Sequence, residues 1–507
     1  MKKLYSNFLL ILLALLSLSA HSQQPGSLDT DFSLDGKVTT GIGNNYDAAE
    51  CMAIQPDGKI LVGGYSNNGS DNDFVVARFN VNGELDEAFG NDGVSVVGVG
   101  SKNEKAFGIA LQPDGKIVLV GTSNDGSNND FAVLRFTEQG MLDRSFHGGI
   151  VITNAGYTTE QARAVAVQAD GKIIVGGSSN GLWNNSDFTL IRYNTDGSLD
   201  NSFGKNGFVK TDLNNSFDFL YAIALQGNGK IIAVGSSSGF NPEDFAAVRY
   251  NSNGTLDKSF ANEGKFISSF GPGVDEAYSV ALQLDNKIVI AGTAESGVNF
   301  DFAVMRLDVN GGLDPSFGNG GKALTALGAN DKAFGVVIQS DQKIVAAGLS
   351  VTGNGSDFSM VRYNINGTLD NSFSDDGKVI TKFGAGTDIA SAVALQSDGR
   401  IVVCGTSAQD NDDFALARYT SEISLGISEK KQNKIGVYYN HNNYDLIVNG
   451  TEENGEVMLF DIIGNRITTG ETSNKKTILN TGPIAPGVYL LNYQNGRNAS
   501  GVKFVIR

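Results

Sequence analysis

The chain has 507 residues, 41% hydrophobic and 18% charged, with 64 glycines, two cysteines, one tryptophan and three histidines. A formal net charge of −17 offers nothing to nucleic-acid phosphate, and two cysteines make neither a disulfide scaffold nor a cysteine zinc site. The apolar fraction is ample for a core.

Residues 1–22 read as a secretory signal peptide. Lys2 and Lys3 precede the apolar run Phe8–Leu18, and Ala20 and Ser22 set small residues around His21 before a cut at Gln23. The run is too short to span a bilayer, and no other segment approaches a spanning length of apolar residues. The expectation is an exported chain with no membrane span.

From residue 23 to 420 one unit recurs. A turn tetrapeptide of the form Asp-Gly-Lys-Ile places its basic residue at Lys59, Lys116, Lys172, Lys230, Lys287, Lys343 and Arg400, with spacings of 57, 56, 58, 57, 56 and 57. Asp-Phe followed by a strand-like run and an Arg begins at Asp73, Asp130, Asp187, Asp244, Asp301, Asp357 and Asp413. A third marker, Leu-Asp-x-x-Phe, has its acid at Asp29, Asp86, Asp143, Asp200, Asp257, Asp314 and Asp370. Three markers at one period define seven units.

Each unit holds four strand-sized pieces, in the first Ala49–Gln55, Lys59–Gly63, Phe74–Phe79 and Val94–Val97. With no helical periodicity, this is the pattern of a β-propeller blade, and seven blades close a ring without exposed sheet edges. The first piece alternates small residues (Cys51, Ala53) with bulky ones (Met52, Ile54). Bulky side onto flat side lets blades nest near the axis, so this strand is expected innermost. The array begins with the end of a unit, in segment 26–43, and stops at Tyr419 without that piece. Lys37–Thr40 is therefore expected to supply the outer strand of the seventh blade. The connector Gly197-Ser198-Leu199-Asp200-Asn201-Ser202-Phe203-Gly204 resembles the delta-60 repeat family. That resemblance implies a propeller and brings no established activity.

Residues 421–434 read as a polar linker, and 435–507 as a small β-sandwich with runs at Val437–Val448, Val457–Thr468, Lys476–Leu479, Gly487–Tyr493 and Val502–Ile506. Asp461-Ile462-Ile463-Gly464-Asn465-Arg466, Pro486-Gly487-Val488-Tyr489 and the final Lys503-Phe504-Val505-Ile506-Arg507 resemble the type A C-terminal sorting domain of the Bacteroidetes type IX secretion system. Tyr438-Tyr439-Asn440-His441 lacks the two prolines with which that family usually opens. The resemblance implies a secretion-machinery partner and passage across the outer membrane to the cell surface or beyond.

Symmetry sorts the candidate sites, because a residue present in every unit is structural by default. One repeated acid, at Asp47, Glu104, Glu160, Asp218, Asp275, Asp331 and Asp388, would form a carboxylate ring at one channel mouth and offer oxygen ligands to Ca²⁺. The bland reading is that each acid accepts backbone N–H bonds in the preceding loop or pairs with a repeated Arg. Trp183, Phe240 and Phe300 occupy comparable loops in three blades, where aromatic rings stack on sugars or anchor the loop. Cys51 and Cys404 fall in the first and seventh blades, and an oxidising space permits a bridge. His147 is the sole histidine of the repeats, so no histidine metal set or triad is available there. The expected function is a binding or structural module for a surface glycan or protein ligand, without cofactor. The alternative is an extracellular polysaccharide hydrolase or lyase using carboxylates at the channel mouth.

Overall fold

The computed structural model describes residues 23–100, 102–156, 159–180, 185–238, 242–353, 355–408 and 411–421, and seven strands between 436 and 506 with residues 455 and 481. Contacts divide the chain into two compact units, 22–424 and a second holding 425–507. The expected signal peptide and almost all of the expected linker lie outside the described residues.

The larger unit is seven four-stranded antiparallel sheets. Blade one is Asp47–Ile54, Ile60–Asn67, Asn72–Phe79 and Val94–Val97, paired in that order. Alternation carries the packing. Met52 and Ile54 join a buried cluster with Val402 and Leu416 of blade seven, while Cys51 shares one with Ile117 and Leu119 of blade two. Around the ring these interfaces are built mainly of Val, Ile, Leu, Ala and Phe, with Tyr, Met and Cys among them, mostly at or near zero exposure.

Strand Lys37–Thr40 pairs antiparallel with Asp412–Tyr419, in register from Lys37 opposite Ala417 to Thr40 opposite Phe414. The N-terminal strand thus completes the blade formed by the last repeat.

The three sequence markers converge on one buried network in each blade. In blade one, Asp86 Oδ2 accepts from Lys59 Nζ at 2.8 Å and Arg78 Nε at 2.6 Å. The Arg78 guanidinium lies 4.6 Å from the Phe89 ring centroid, and its Nη1 donates to the Glu138 carbonyl of blade two at 2.6 Å. The marker residues therefore close their own blade and fasten it to the next. The repeated glutamines join in: Gln283 Oε1 accepts from Arg306 Nη1 at 3.2 Å. In the last blade the partners come from the other end of the chain. Asp29 pairs with Arg418 at 2.8 Å and Arg400 at 2.6 Å, and Phe32 lies 4.7 Å beneath Arg418.

The second unit holds a three-stranded sheet, ordered Gly436–Asn440, Asp445–Asn449, Lys476–Asn480, and a four-stranded one, ordered Arg466–Glu471, Glu456–Asp461, Gly487–Asn495, Asn498–Ile506. Leu446, Val448 and Leu479 of the first share a buried cluster with Val457, Leu459 and Leu491 of the second. Two expected runs, 437–448 and 457–468, each cover two strands rather than one, because hydrophobic alternation alone does not mark where a run turns back. Among the described residues no helix is long and apolar enough to cross a membrane.

Candidate functional site

Every innermost strand carries the same irregularity. Its pairing with the second strand skips one residue, a β-bulge, and the skipped residues are Glu50, Phe107, Arg163, Tyr221, Tyr278, Phe334 and Ser391. A glycine on the facing strand makes the room. A Cβ added at Gly64, Gly121 or Gly177 would sit 1.9 Å from a carbonyl oxygen of the bulged strand, and at Gly235 or Gly348 1.8 Å. Bulges re-aim side chains. Here all seven line one cavity of about 440 Å³ with residues from every blade, which is the central channel.

The backbone at this position is sevenfold, but the side chains are not. Tyr221 and Tyr278 meet edge to face with centroids 5.0 Å apart, and Tyr278 meets Phe334 at 5.0 Å. The Arg163 guanidinium lies 4.0 Å from the Phe107 centroid and 5.7 Å from that of Tyr221. A belt of Phe, Arg, Tyr, Tyr and Phe thus runs over five consecutive blades, with Glu50 and Ser391 on the other two.

Burial in the wall pushes the Glu50 carboxyl up to about 7, against the opposing pull of Arg163 and Lys105. Burial likewise lowers Arg163, an effect countered by Tyr221 and Glu50. Tyr221 is pushed up to about 12 by burial and by Glu276, and Tyr278, which donates to Glu276 at 2.6 Å, is raised for the same reasons. Neither phenol is a ready base at neutral pH. Glu243 is raised by burial and by the neighbouring Glu276.

The seven repeated acids lie at the start of the innermost strands, three residues before the bulge, and are at most 1% exposed. Each is turned into the loop leading to its own blade. Asp47 accepts from the backbone N–H of Ile42 at 2.7 Å, Glu104 from Gly100 at 3.0 Å, Glu160 from Ala155 at 2.8 Å and Asp218 from Leu213 at 2.7 Å. Asp275, Asp331 and Asp388 hold Phe270, Leu327 and Phe383 in the same way. Among the described residues no three of these acids converge. The one group of three carboxylates with oxygens within 4.8 Å of one another is Asp187, Asp212 and Asp218, which includes a single member of the repeated set.

Phe300 lies in strand Asn299–Leu307 with the Lys332 ammonium 5.4 Å over its ring, whereas Trp183 and Phe240 lie outside the described residues. Both thiols are buried and free, so the bridge expected between Cys51 and Cys404 is not present. The reason is packing, since Cys51 is held in the interface of blades one and two and Cys404 in that of blades seven and one. His147 is exposed in a one-turn helix, His147–Gly149, on a connector.

Sequence symmetry draws attention to the acids because they repeat, and passes over the bulge position because it does not. A signal was available in the glycine recurring within every second strand. Glycine inside a strand marks a bulge or a close backbone approach, and the side chain facing it is the one re-aimed.

Fold and channel define the chain as a seven-bladed β-propeller. Seven stretches, 55–89, 112–146, 168–203, 226–260, 283–317, 339–373 and 396–422, match the family model described as a domain of unknown function (DUF5122) beta-propeller. No curated protein matches the chain. Solved structures similar to it include a catalytically inactive virginiamycin B lyase from Staphylococcus aureus with quinupristin, at 10% identity over 75% of this chain and 98% of that one, TM-score 0.43. Also similar are the polysaccharide lyase Uly1, at 10% identity, 73% and 90% coverage and TM-score 0.43, and Sqt1 from Chaetomium thermophilum, at 14%, 73% and 83%, TM-score 0.36. At such identity the likeness concerns fold alone.

Proposed function

We propose that the protein is an exported propeller that binds a glycan through its central channel. The C-terminal unit acts as the sorting signal recognised by a type IX secretion machinery. The observation that carries the channel reading is the contrast between the two repeated positions. The acids present in all seven blades each hold the preceding loop through a carboxylate oxygen, and among the described residues the second oxygen of Asp47, Asp275 and Asp388 is buried without a partner. The bulge position, free to vary, instead gathers aromatic rings and a guanidinium in one cavity. Rings offer flat apolar faces to the C–H side of a sugar, and a cavity of this size suits one or two sugar units.

On a glycan array the intact protein should retain a subset of saccharides. Ser391→Trp, which fills the channel from the blade with the smallest wall residue, should weaken retention at least tenfold, and Phe300→Ala should leave it unchanged. Retention unaffected by the Trp plug would place the ligand elsewhere. The alternative reading, a polysaccharide hydrolase or lyase, rests on Glu50, a carboxyl held near neutral pKa on the channel wall. It requires turnover of the retained glycan that disappears in Glu50→Gln.

A further inference from the structure

Among the described residues eight arginines of the propeller come close to an aromatic ring, and seven of them are the repeated marker residues, each ion-paired with its aspartate. Arg163 is the eighth. Its only hydrogen-bond acceptor among the described residues is Gln161 Oε1, at 3.2 Å from Nε and 2.7 Å from Nη2. Among the described residues no carboxylate lies within ion-pair distance of it, and Glu50 of the same ring position acts on it only through its charge. Of the five N–H donors of a guanidinium, three remain unspent, on a charge taken partly out of water.

Leaving a cation in such a place unpaired is costly, and nothing in the blade architecture requires it. The equivalent position is filled by Phe, Tyr, Ser or Glu in the other six blades, so the bulge itself does not call for arginine. Gln161 fixes one edge of the guanidinium, and the Phe107 and Tyr221 rings flank it. What stays open is a fork of donors with the geometry of a carboxylate or another planar anion. Lys105, two residues before Phe107 on the neighbouring innermost strand and 4.7 Å over the Tyr65 ring, adds a second positive charge on this side. Glu243 belongs to the blade of Tyr221 and Glu276 to the one after it, while Glu50 and Asp412 line the cavity from the first and seventh blades.

We propose that the channel recognises an acidic saccharide, with Arg163 receiving its anionic group between Phe107 and Tyr221 while the adjoining rings support the pyranose. This rests on the channel-binding reading above and specifies its ligand class. The alternation of rings with hydroxyl groups (Tyr221, Tyr278, Ser391, Thr406) along the cavity wall fits a sugar, which presents an apolar face and a hydroxyl rim in the same unit.

The test is calorimetric titration of the intact protein with three probes: hexagalacturonate, its fully methyl-esterified counterpart and a sulfated galactan hexamer. Binding of an acidic hexamer at least tenfold tighter than that of the ester is expected. Preference between the two acidic probes then assigns the anion as a uronate carboxylate or a sulfate ester. Arg163→Gln should lose that preference at an unchanged melting temperature, and Arg163→Lys should restore part of it. Equal binding of acid and ester, unchanged preference in Arg163→Gln, or binding of free peptide C-termini instead of any saccharide would overturn the assignment. If Ser391→Trp abolishes binding of a neutral glycan that Arg163→Gln leaves intact, the channel reading stands and the anion assignment falls.

Discussion

Deleting residues 23–41 is expected to unfasten the ring. The deletion removes the outer strand of the seventh blade with its four registered pairs, and it removes Asp29 and Phe32 from the last of the seven networks. Arg418, whose side chain is 3% exposed, is left buried without its carboxylate. Removing one partner of a buried pair costs about 3–5 kcal/mol, and the lost strand and apolar contacts add to that. Asp29→Ala isolates the ionic part and should destabilise by about that amount. Asp200→Ala, the same change in a blade whose partners are close in sequence, should cost no more. Limited proteolysis should cut the deletion variant first between 378 and 420 and leave the Asp200→Ala chain uncut there. A deletion variant that melts with the wild type and resists protease would show that the ring does not depend on this closure.

Acidification is expected to act in two opposite steps. Burial raises Glu50, Glu104 and Glu160 to about 7 and Asp275 and Asp187 to about 6. These carboxyls bind protons in the folded chain while an unfolded chain keeps them ionised down to about pH 4. Their contribution is fully present below that value and is lost as pH rises through 6 to 7, so stability increases on going from pH 8 to about pH 5. The marker aspartates behave oppositely. Burial alone would raise Asp143 and Asp370, but the hydrogen bonds from serine and the charges of lysine and arginine outweigh it and hold both at about 2. Asp86, Asp200, Asp257 and Asp314 are held down in the same manner. The stability they confer is present above about pH 4 and is lost as pH falls toward 2, each group contributing a slope of at most about 1.4 kcal/mol per pH unit. Thermal melts from pH 8 to pH 2.5 should peak near pH 5 and collapse below pH 4. A monotonic decline from pH 8 downward would contradict this balance.

The blades were legible because their cause is local and repeated. Asp57-Gly58 turns, alternating strands and Leu-Asp-x-x-Phe connectors recur at one spacing, and any residue kept in all seven copies announces a shared structural task. Why the markers occur together was not legible. Lys59, Arg78 and Asp86 meet only once three strands are folded over one another, and Arg78 reaches a carbonyl 60 residues further on. The site was hidden for the converse reason. Glu50, Phe107, Arg163 and Ser391 share no chemistry, and only the bulge shows that they share a place. The two thiols illustrate a further limit. Adjacent blades bring cysteines into one neighbourhood, but the face on which each side chain lies depends on the bulge between Ala49 and Cys51, which sequence spacing does not reveal.

The central claim is that ligand is held in the channel by the residues at the bulge. The most direct measurement is a crystal structure of the intact protein soaked with the saccharide it retains best on the array. Density for a sugar ring in contact with Phe107, Arg163 and Tyr221 is the result expected. Density confined to the rim loops around Phe300 or to the outer strands, with the channel empty, would contradict it.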